Sequence, residues 1–209
     1  MHRLLHDCDG DVLVREWVER EARYHGMRLS AREYFELEED GCRYELIDGV
    51  VCMTPSPNWR HQEVAQEISW QLYGYLKGHP VGRVIPDVDV HLGTGPRGGD
   101  LIYRPDIVFF KAGRRFHEAD RIIAPPDLVV EVASLSTRRY DRETKKADYE
   151  RFGVLEYWIV DPLRKSFEFD RLVDGRYVSI ASEGNVFRSE AVHGFALDLA
   201  AVRRTFEQY

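Results

Sequence analysis

Three charged residues, Asp106, Glu131 and Lys145, stand in segments that otherwise have the composition of a protein core. Residues 104–110 and 127–132 are predicted to form two buried strands, and each places one carboxylate among apolar neighbours. An ionised group in such surroundings is costly unless it is paired or bound to a metal. Two carboxylates can hold Mg²⁺ or Mn²⁺ and leave positions for water and a phosphate oxygen, and a nearby amine can stabilise charge on phosphorus. The set therefore indicates metal-assisted phosphodiester hydrolysis, although a buried ion-pair network would give the same pattern.

Helical periodicity predicts that Lys145 points toward the strands that carry the two carboxylates. A helix is predicted over residues 141–152. Within it, Lys145, Tyr149 and Phe152 lie at positions i, i+4 and i+7, on the stripe that packs on the sheet. Lys146 falls on a neighbouring outer stripe, so Lys145 is the candidate amine.

The flanking segments are predicted to form the elements that position these residues. Helices are expected at residues 11–25, from the Ser-x-x-Glu capping box at Ser30 to about Glu39, and from Ser56-Pro57 to about Gly78. Strands are expected at residues 44–53, folded at the Asp48-Gly49 turn, and at residues 84–92, 156–160, 165–169 and 177–181. Residues 93–100 are predicted to form a flexible turn. This order gives an α/β fold, a mixed β-sheet flanked by helices.

Composition and charge limit the class of protein. With 209 residues, of which 44% are hydrophobic, the chain is long enough for one globular domain. The net charge of -7 argues against a protein that coats nucleic acid over its whole surface. It is compatible with a local basic groove, because arginines and lysines are concentrated between residues 114 and 146. No apolar run approaches the roughly 18 residues of a membrane span. The three cysteines lack metal-ligand spacing and are odd in number, which suits free thiols in a reducing compartment, so a cytoplasmic protein is expected.

Several segments carry a family resemblance. They are residues 44–49 (YELIDG), Ser56-Pro57 with His61-Gln62, and residues 104–106 (RPD), 126–132 (PDLVVEV), 136–145 and 153–162 (GVLEYWIVDP). Over about residues 28–190 the chain resembles the Uma-two family of restriction-endonuclease-like proteins, which is placed in the PD-(D/E)xK nuclease superfamily. The resemblance implies a restriction-endonuclease-like fold over residues 28–209, preceded by an N-terminal helical arm over residues 1–27.

The resemblance also implies roles for the charged residues. Asp106 would be the aspartate of the PD motif and Glu131 its acidic partner, both as metal ligands for Mg²⁺ or Mn²⁺. The backbone carbonyl of Val132 would be a third ligand. In the usual pattern the lysine lies two residues after the acid, but that position is Ala133 in this chain. Lys145 on the following helix is expected to take its place.

Two further residues are candidates for the same site. His61 lies on the inner stripe of the long helix and could act as a base or contact substrate, or it is a histidine at the edge of the core. Glu45 could add a carboxylate to the site, or it pairs with a nearby arginine. Asp141 is interpreted as a helix N-cap. Three other carboxylates are interpreted as strand-edge or solvent-face charges: Asp87, Asp89 and Asp127.

The sequence therefore predicts a Mg²⁺-dependent endonuclease acting on DNA. A catalytically inactive nuclease-fold binding or assembly module is the alternative, favoured by the acidic net charge and by Ala133. A protein for small phosphate esters is disfavoured because no Gly-rich loop followed by Lys and Ser or Thr is present to hold phosphates. Proteins of the superfamily often act as dimers, so a homodimer is expected, with no membrane partner.

Overall fold

The computed structural model describes residues 22–208 of the chain. Most of the helix predicted over residues 11–25 lies outside the described residues. Of the described residues in this range, Ala22 is buried, and its carbonyl accepts the His25 N–H at 3.1 Å in a turn. The division between an arm and a domain near residue 27 stays a prediction.

Two six-stranded mixed sheets and a two-stranded hairpin form the framework. The first sheet has the order β2-β1-β5-β4-β8-β7, with strands β1 Arg43–Ile47, β2 Val50–Thr54, β4 Val90–Thr94, β5 Asp100–Tyr103, β7 His117–Glu118 and β8 Arg121–Ile122. The second has the order β12-β11-β10-β9-β6-β3, with strands β3 Gly82–Pro86, β6 Ile107–Lys111, β9 Leu128–Val132, β10 Glu156–Asp161, β11 Ser166–Val173 and β12 Arg176–Ser179. The hairpin joins β13 Val186–Arg188 and β14 Ala196–Asp198.

Helices flank these sheets, as the predicted α/β class requires. They are α1 Ala31–Tyr34, α2 Trp59–Gly78, α3 Arg138–Tyr140, a π-helical segment Asp141–Lys145, α4 Lys146–Arg151, α5 Leu199–Thr205 and a 3-10 turn Phe206–Gln208. No helix within residues 22–208 is both long enough and apolar enough to cross a membrane. The predicted fold class, a mixed β-sheet flanked by helices, is confirmed.

Strand β9 divides the core into two layers. Leu128, Val130 and Val132 pack with the buried stripe of α2, whereas Val129 and Ala133 pack with the aromatic residues of the opposite layer. Because successive side chains of a strand alternate between faces, Glu131 lies on the second side, under the helical segment 138–151. The predicted sorting of this strand is confirmed.

Helix α2 begins two residues later than predicted. Asn58 is the N-cap, and its side chain accepts the His61 N–H at 2.9 Å, so Ser56 and Pro57 belong to the preceding loop. Asparagine caps a helix as well as serine does, and composition alone does not choose between them. At the other short helix, the predicted capping box of Ser30 and Glu33 is present, but α1 ends at Tyr34 rather than near Glu39.

The strand predicted over residues 84–92 is wrong. The chain turns at Asp87, whose φ is 48°, so that β3 ends at Pro86 in one sheet and β4 begins at Val90 in the other. Alternation of apolar residues persists across the turn because both strands are half-buried. Residues 93–100, predicted as a flexible turn, form the end of β4, a turn and the start of β5, and the Arg97 N–H donates to Asp48 Oδ1 at 2.8 Å.

Candidate active site

The five predicted site residues, Glu45, His61, Asp106, Glu131 and Lys145, form one continuous set of contacts. They come from β1, the first turn of α2, the bend before β6, β9 and the π-helical segment. Lys145 contacts Glu131 and Glu45, and His61 contacts Asp106, at 2.8–2.9 Å. Backbone N–H groups link these two groups of side chains: that of Val132, next to Glu131, donates to Asp106 at 2.7 Å, and that of Arg104, near Asp106, donates to Glu45 at 3.1 Å. The convergence predicted from the sequence is therefore present in the structure, and only the catalytic and metal-binding roles stay predictions.

Lys145 lies between two carboxylates. Its Nζ is 2.9 Å from Glu131 Oε1 and 2.9 Å from Glu45 Oε1. The hydroxyl of Tyr149, one helical turn further on, donates to Glu131 Oε1 at 3.1 Å. Lys146 points away from this cluster and pairs with Asp170 at 2.7 Å. The inner stripe predicted for Lys145 and Tyr149 is confirmed.

The side chain of Asp106 is held by contacts with the end of β9 and with α2. Its Oδ2 accepts the backbone N–H of Val132 at 2.7 Å, and its Oδ1 is 2.8 Å from His61 Nε2. The Asp106 and His61 side chains keep 12% and 14% of their surface exposed, whereas those of Glu131 and Lys145 keep 6% and 7%. A substrate would therefore reach the cluster from the side of Asp106 and His61.

Glu45 connects the first sheet to this cluster. Its Oε1 accepts the backbone N–H of Arg104 at 3.1 Å in addition to its contact with Lys145. Within residues 22–208 the cation that pairs with Glu45 is thus Lys145 and not an arginine side chain. The further carboxylate expected from β1 lies at the site.

Asp141 is a member of the site that sequence reasoning missed. The predicted N-cap role is wrong, because the helical segment begins at Arg138 and Asp141 lies inside it with 2% of its surface exposed. Burial raises the pKa of Asp141 to about 6, with Lys145 opposing and Asp106 and Glu45 adding to the effect. The signal was available: Asp141 lies four residues before Lys145, on the same stripe as Tyr149.

Aromatic side chains surround the amine of Lys145. Nζ of Lys145 lies 5.2 Å from the centroid of the Tyr103 ring and 5.9 Å from that of Tyr140. The Tyr140 hydroxyl donates to that of Tyr103 at 3.3 Å, and the Tyr103 hydroxyl donates to Asp148 Oδ2 at 2.6 Å. Cations are attracted to ring faces at such distances, so these rings add to the stabilisation of the charged amine.

Comparisons with known proteins identify the family of this chain. Residues 31–200 match the family model Uma2, described as "Putative restriction endonuclease". The chain belongs to the Uma2 family. A crystal structure of "a putative nuclease belonging to DUF820" from Anabaena variabilis ATCC 29413 matches with a TM-score of 0.71 and 17% identity, covering 85% of this chain and 99% of that chain. At this identity the match establishes the fold alone. No curated protein matches the chain.

The Uma2 match confirms the resemblance predicted from the sequence and includes all five candidate residues. Asp127 lies directly before β9, and its interpretation as a strand-edge or solvent-face charge is corrected by its burial. Its side chain is buried, accepts the Lys111 N–H at 2.8 Å and pairs with Arg114 at 3.2 Å. These contacts join the start of β9, the strand that carries Glu131, to the end of β6 and the turn that follows it.

The basic cluster of this Uma2 protein is largely neutralised by acidic partners. Arg138 and Arg142 both contact Asp161, at 2.9 and 3.2 Å, and Arg142 also contacts Glu168. Such pairs anchor the helical segment 138–151 on β10 and β11. The cluster is therefore mainly structural, and it offers less free positive charge than its composition indicates.

The candidate site of this Uma2 protein has a charge that would suit a hard divalent cation. Within residues 22–208, no group of three or more His, Cys, Asp and Glu side chains is arranged to hold a metal, so a site here would use two carboxylates and a backbone carbonyl. Burial raises the pKa of Glu131 well above its usual range, and Asp106, Asp141 and Glu45 add to that effect while Lys145 opposes it. This excess of buried negative charge is what a divalent cation would offset.

Replacing Asp141 with asparagine will stabilise the metal-free protein at pH 7.5 by about 1–3 kcal/mol and have little effect near pH 4. The folded-state pKa of Asp141 is raised from 3.8 to about 6, so the folded state binds this proton more tightly than the unfolded state. The cost of the ionised carboxylate is absent below 3.8, grows as the pH rises and is complete above about 6. Urea unfolding of both proteins at the two pH values measures the difference.

Asp174→Asn is the matched control for this experiment, because Asp174 is exposed in the turn before β12. That variant should have the same effect at both pH values. A stability difference for Asp141→Asn that does not change with pH would contradict the assigned burial of the charge.

Proposed function

We propose that this protein is a metal-dependent endonuclease that hydrolyses phosphodiester bonds in DNA. The observation that carries the proposal is the contact of the Lys145 amine with Glu131 at 2.9 Å, beside an Asp106 that is bonded to the backbone of the same strand. Two carboxylates and an amine held together in a buried site are the parts that this chemistry needs. Membership of the Uma2 family supports the same reaction class.

Each residue has a role in this proposal. Asp106, Glu131 and the carbonyl of Val132 would hold Mg²⁺ or Mn²⁺. When bound, the ion would lower the pKa of a coordinated water and offset charge on the phosphate. Lys145 would orient the attacking water or stabilise the charge that develops on phosphorus, because its amine stays protonated between two carboxylates.

Glu45 and His61 act on these groups. Burial alone would lower the pKa of Lys145, but Glu131 and Glu45 raise it well above its usual range. Glu45 therefore keeps the amine charged. His61 bonds to Asp106 and lies on the exposed side of the cluster, where it can exchange a proton with substrate or solvent.

A second candidate is a nuclease-fold binding or assembly module without catalysis. It is favoured by the two carboxylates that already satisfy Lys145 and by Ala133 at the usual lysine position. DNA as the substrate, a homodimer and the cytoplasm as location stay predictions under both candidates.

Calorimetric titration with Mn²⁺ and Mg²⁺ separates the two candidates. We expect a binding heat in the wild type that is lost in Asp106→Asn, because the amide removes one anionic ligand. At a metal concentration about 100 times the dissociation constant, the wild type should also gain about 2.7 kcal/mol of stability. Asp174→Asn should bind metal as the wild type does. A heat of equal size in Asp106→Asn, or none in the wild type, would favour the module without a metal.

A further inference from the structure

An exposed tryptophan lies at the N-terminal end of α2, close to the candidate active site. Trp59 is the first residue of the helix and keeps 60% of its surface exposed. His61, two residues further on, contacts Asp106 at 2.8 Å on the side from which substrate would reach the site. The two residues are separated by only about 3 Å along the helix axis, although their side chains leave the helix on different sides. Trp59 therefore lies about one helix diameter, roughly 10–12 Å, from the exposed side of the site.

The neighbouring Arg60 provides positive charge at the same place. Arg60 is exposed, and its guanidinium lies over the Trp59 ring, 5.1 Å from the ring centroid. Within residues 22–208 it forms no ion pair, whereas Arg138 and Arg142 of the basic cluster are both paired with Asp161. Arg60 therefore supplies, beside the site, the free positive charge that the basic cluster lacks.

The contact between Arg60 and Trp59 leaves both side chains available to a ligand. The guanidinium covers one face of the indole, and the exposed 60% of Trp59 is what remains with Arg60 in place. Stacking uses the plane of a guanidinium, and its N–H donors, which lie in that plane, stay free to bind a phosphate. Bases of single strands stack on exposed aromatic rings, and a nearby arginine adds to this attraction. A base inside a duplex is already stacked on its neighbours, so the free face of Trp59 suits an unpaired base.

A second tryptophan of the same helix provides an internal comparison. Trp70 also keeps 60% of its surface exposed, and it lies about three turns after Trp59 on the same outer stripe of α2. It is about 16 Å further along the axis from the candidate active site. Among the described residues, no guanidinium lies over its ring. Trp59 thus differs from Trp70 in its partner and in its distance from the site, and not in its exposure.

We propose that Trp59 and Arg60 form a platform for an unpaired nucleotide of the substrate, with the base stacked on the free face of Trp59 and a phosphate bound by Arg60. The inference rests on the proposed function, because it makes the platform a contact for the strand that is cut. At about 3.4 Å per nucleotide, the distance between the platform and the site corresponds to about three nucleotides of a stacked strand. The preferred substrate is therefore single-stranded DNA, or DNA with unpaired nucleotides beside the cut.

The test is fluorescence anisotropy of a labelled oligothymidine of about 12 nucleotides, and of a duplex of the same length, titrated with the full chain without divalent metal. We expect the single strand to bind at least about tenfold more tightly than the duplex. Trp59→Ala should weaken single-strand binding by about 5- to 100-fold, because one base loses its stacking partner, and should change duplex binding by less than about twofold. Trp70→Ala is the matched control and should bind as the wild type.

The contribution of Arg60 is measured by the dependence of the same binding on salt. Arg60→Gln should reduce the slope of log affinity against log salt concentration for the single strand by about 0.7, because one phosphate contact is lost. Arg204→Gln, at an exposed position in α5, is the control and should leave the slope unchanged. An unchanged slope in Arg60→Gln would overturn the assigned phosphate contact.

Equal affinity for single strand and duplex, no binding of either, or wild-type single-strand affinity in Trp59→Ala would overturn the platform. Equal losses in Trp59→Ala and Trp70→Ala would also overturn it, and loss of self-association in both variants would instead mark the outer stripe of α2 as a contact between two copies of the chain. The comparison of single strand with duplex uses the wild type alone, so it does not depend on the folding of a variant.

The inference and the proposed function can fail separately. Metal-dependent cleavage of duplex DNA, with no preference for unpaired strands, would overturn the platform and leave the proposed function. Single-strand binding that depends on Trp59, in a protein that does not cut DNA with Mg²⁺ or Mn²⁺, would support the platform and overturn the endonuclease.

Discussion

Replacing Lys145 with methionine will destabilise the metal-free protein by about 3 kcal/mol at pH 7.5 and abolish cleavage. Methionine keeps most of the volume of lysine but leaves Glu131 and Glu45, each 2.9 Å from the missing amine, without their cation. Removing one partner of a buried pair leaves an uncompensated charge, and this is more costly than the net contribution of the pair. Urea denaturation measures the free energy of unfolding, and plasmid cleavage measures the activity.

The size of this effect should depend on pH in a defined direction. The raised pKa of Glu131 means that its carboxyl group can take up a proton when the pH falls, so the loss caused by Lys145→Met should be smaller at pH 5 than at pH 7.5. Lys77→Met, at an exposed position in the last turn of α2, is the control and should change stability little. A Lys145→Met protein as stable as the wild type would show that the amine is not paired in solution.

Replacing Asp106 with asparagine will remove at least about a thousandfold of the cleavage activity and leave the fold intact. The amide oxygen can still accept the Val132 N–H, and the amide group can still bond to His61, so the contacts that hold this residue are kept. What is lost is the negative charge that would bind the metal. Single-turnover cleavage of supercoiled DNA, with thermal unfolding of the same sample, measures both quantities.

The two variants separate catalysis from stability. Asp106→Asn should melt close to the wild type, whereas Lys145→Met should not, and both should fail to cut DNA. Asp174→Asn should cut at the wild-type rate. Cleavage retained by both active-site variants would remove the assignment of these residues, and an unfolded Asp106→Asn would reassign Asp106 to a structural role.

Part of the candidate site could be predicted because Glu131 and Lys145 lie in elements whose faces follow from local periodicity. A lysine at the i position of the stripe that continues through Tyr149 must face the sheet, and the structure places it there. The Asp48-Gly49 turn was equally local, since both residues adopt positive φ angles of 50° and 75° that favour Asp and Gly. These features need no knowledge of the rest of the fold.

The predictions that the structure corrects concern features that depend on tertiary packing. The switch of sheets at Asp87 and the burial of Asp127 depend on which elements pack together, and the alternation of apolar and polar residues along one segment does not predict this. Asp141 was misassigned because an aspartate near an expected helix start is usually an N-cap. The residues next to it do not show that the helical segment begins one turn earlier, at Arg138. Asp89 was interpreted as a strand-edge or solvent-face charge, but its Oδ1 is buried and has no hydrogen-bond partner among the described residues, and this burial also depends on the packing of the two sheets.

The π-helical segment Asp141–Lys145 has a consequence for how the helix is held at its two ends. The Lys146 N–H reaches back to the Asp141 carbonyl, a loop one residue wider than that of an α-helix. Arg138, before the segment, is tied to Asp161, while Tyr149, after it, is tied to Glu131. The extra residue in this turn changes the rotation about the helix axis between the residues before it and those after it. Arg138 can therefore contact Asp161 on β10 while Lys145 and Tyr149 both contact Glu131 on β9.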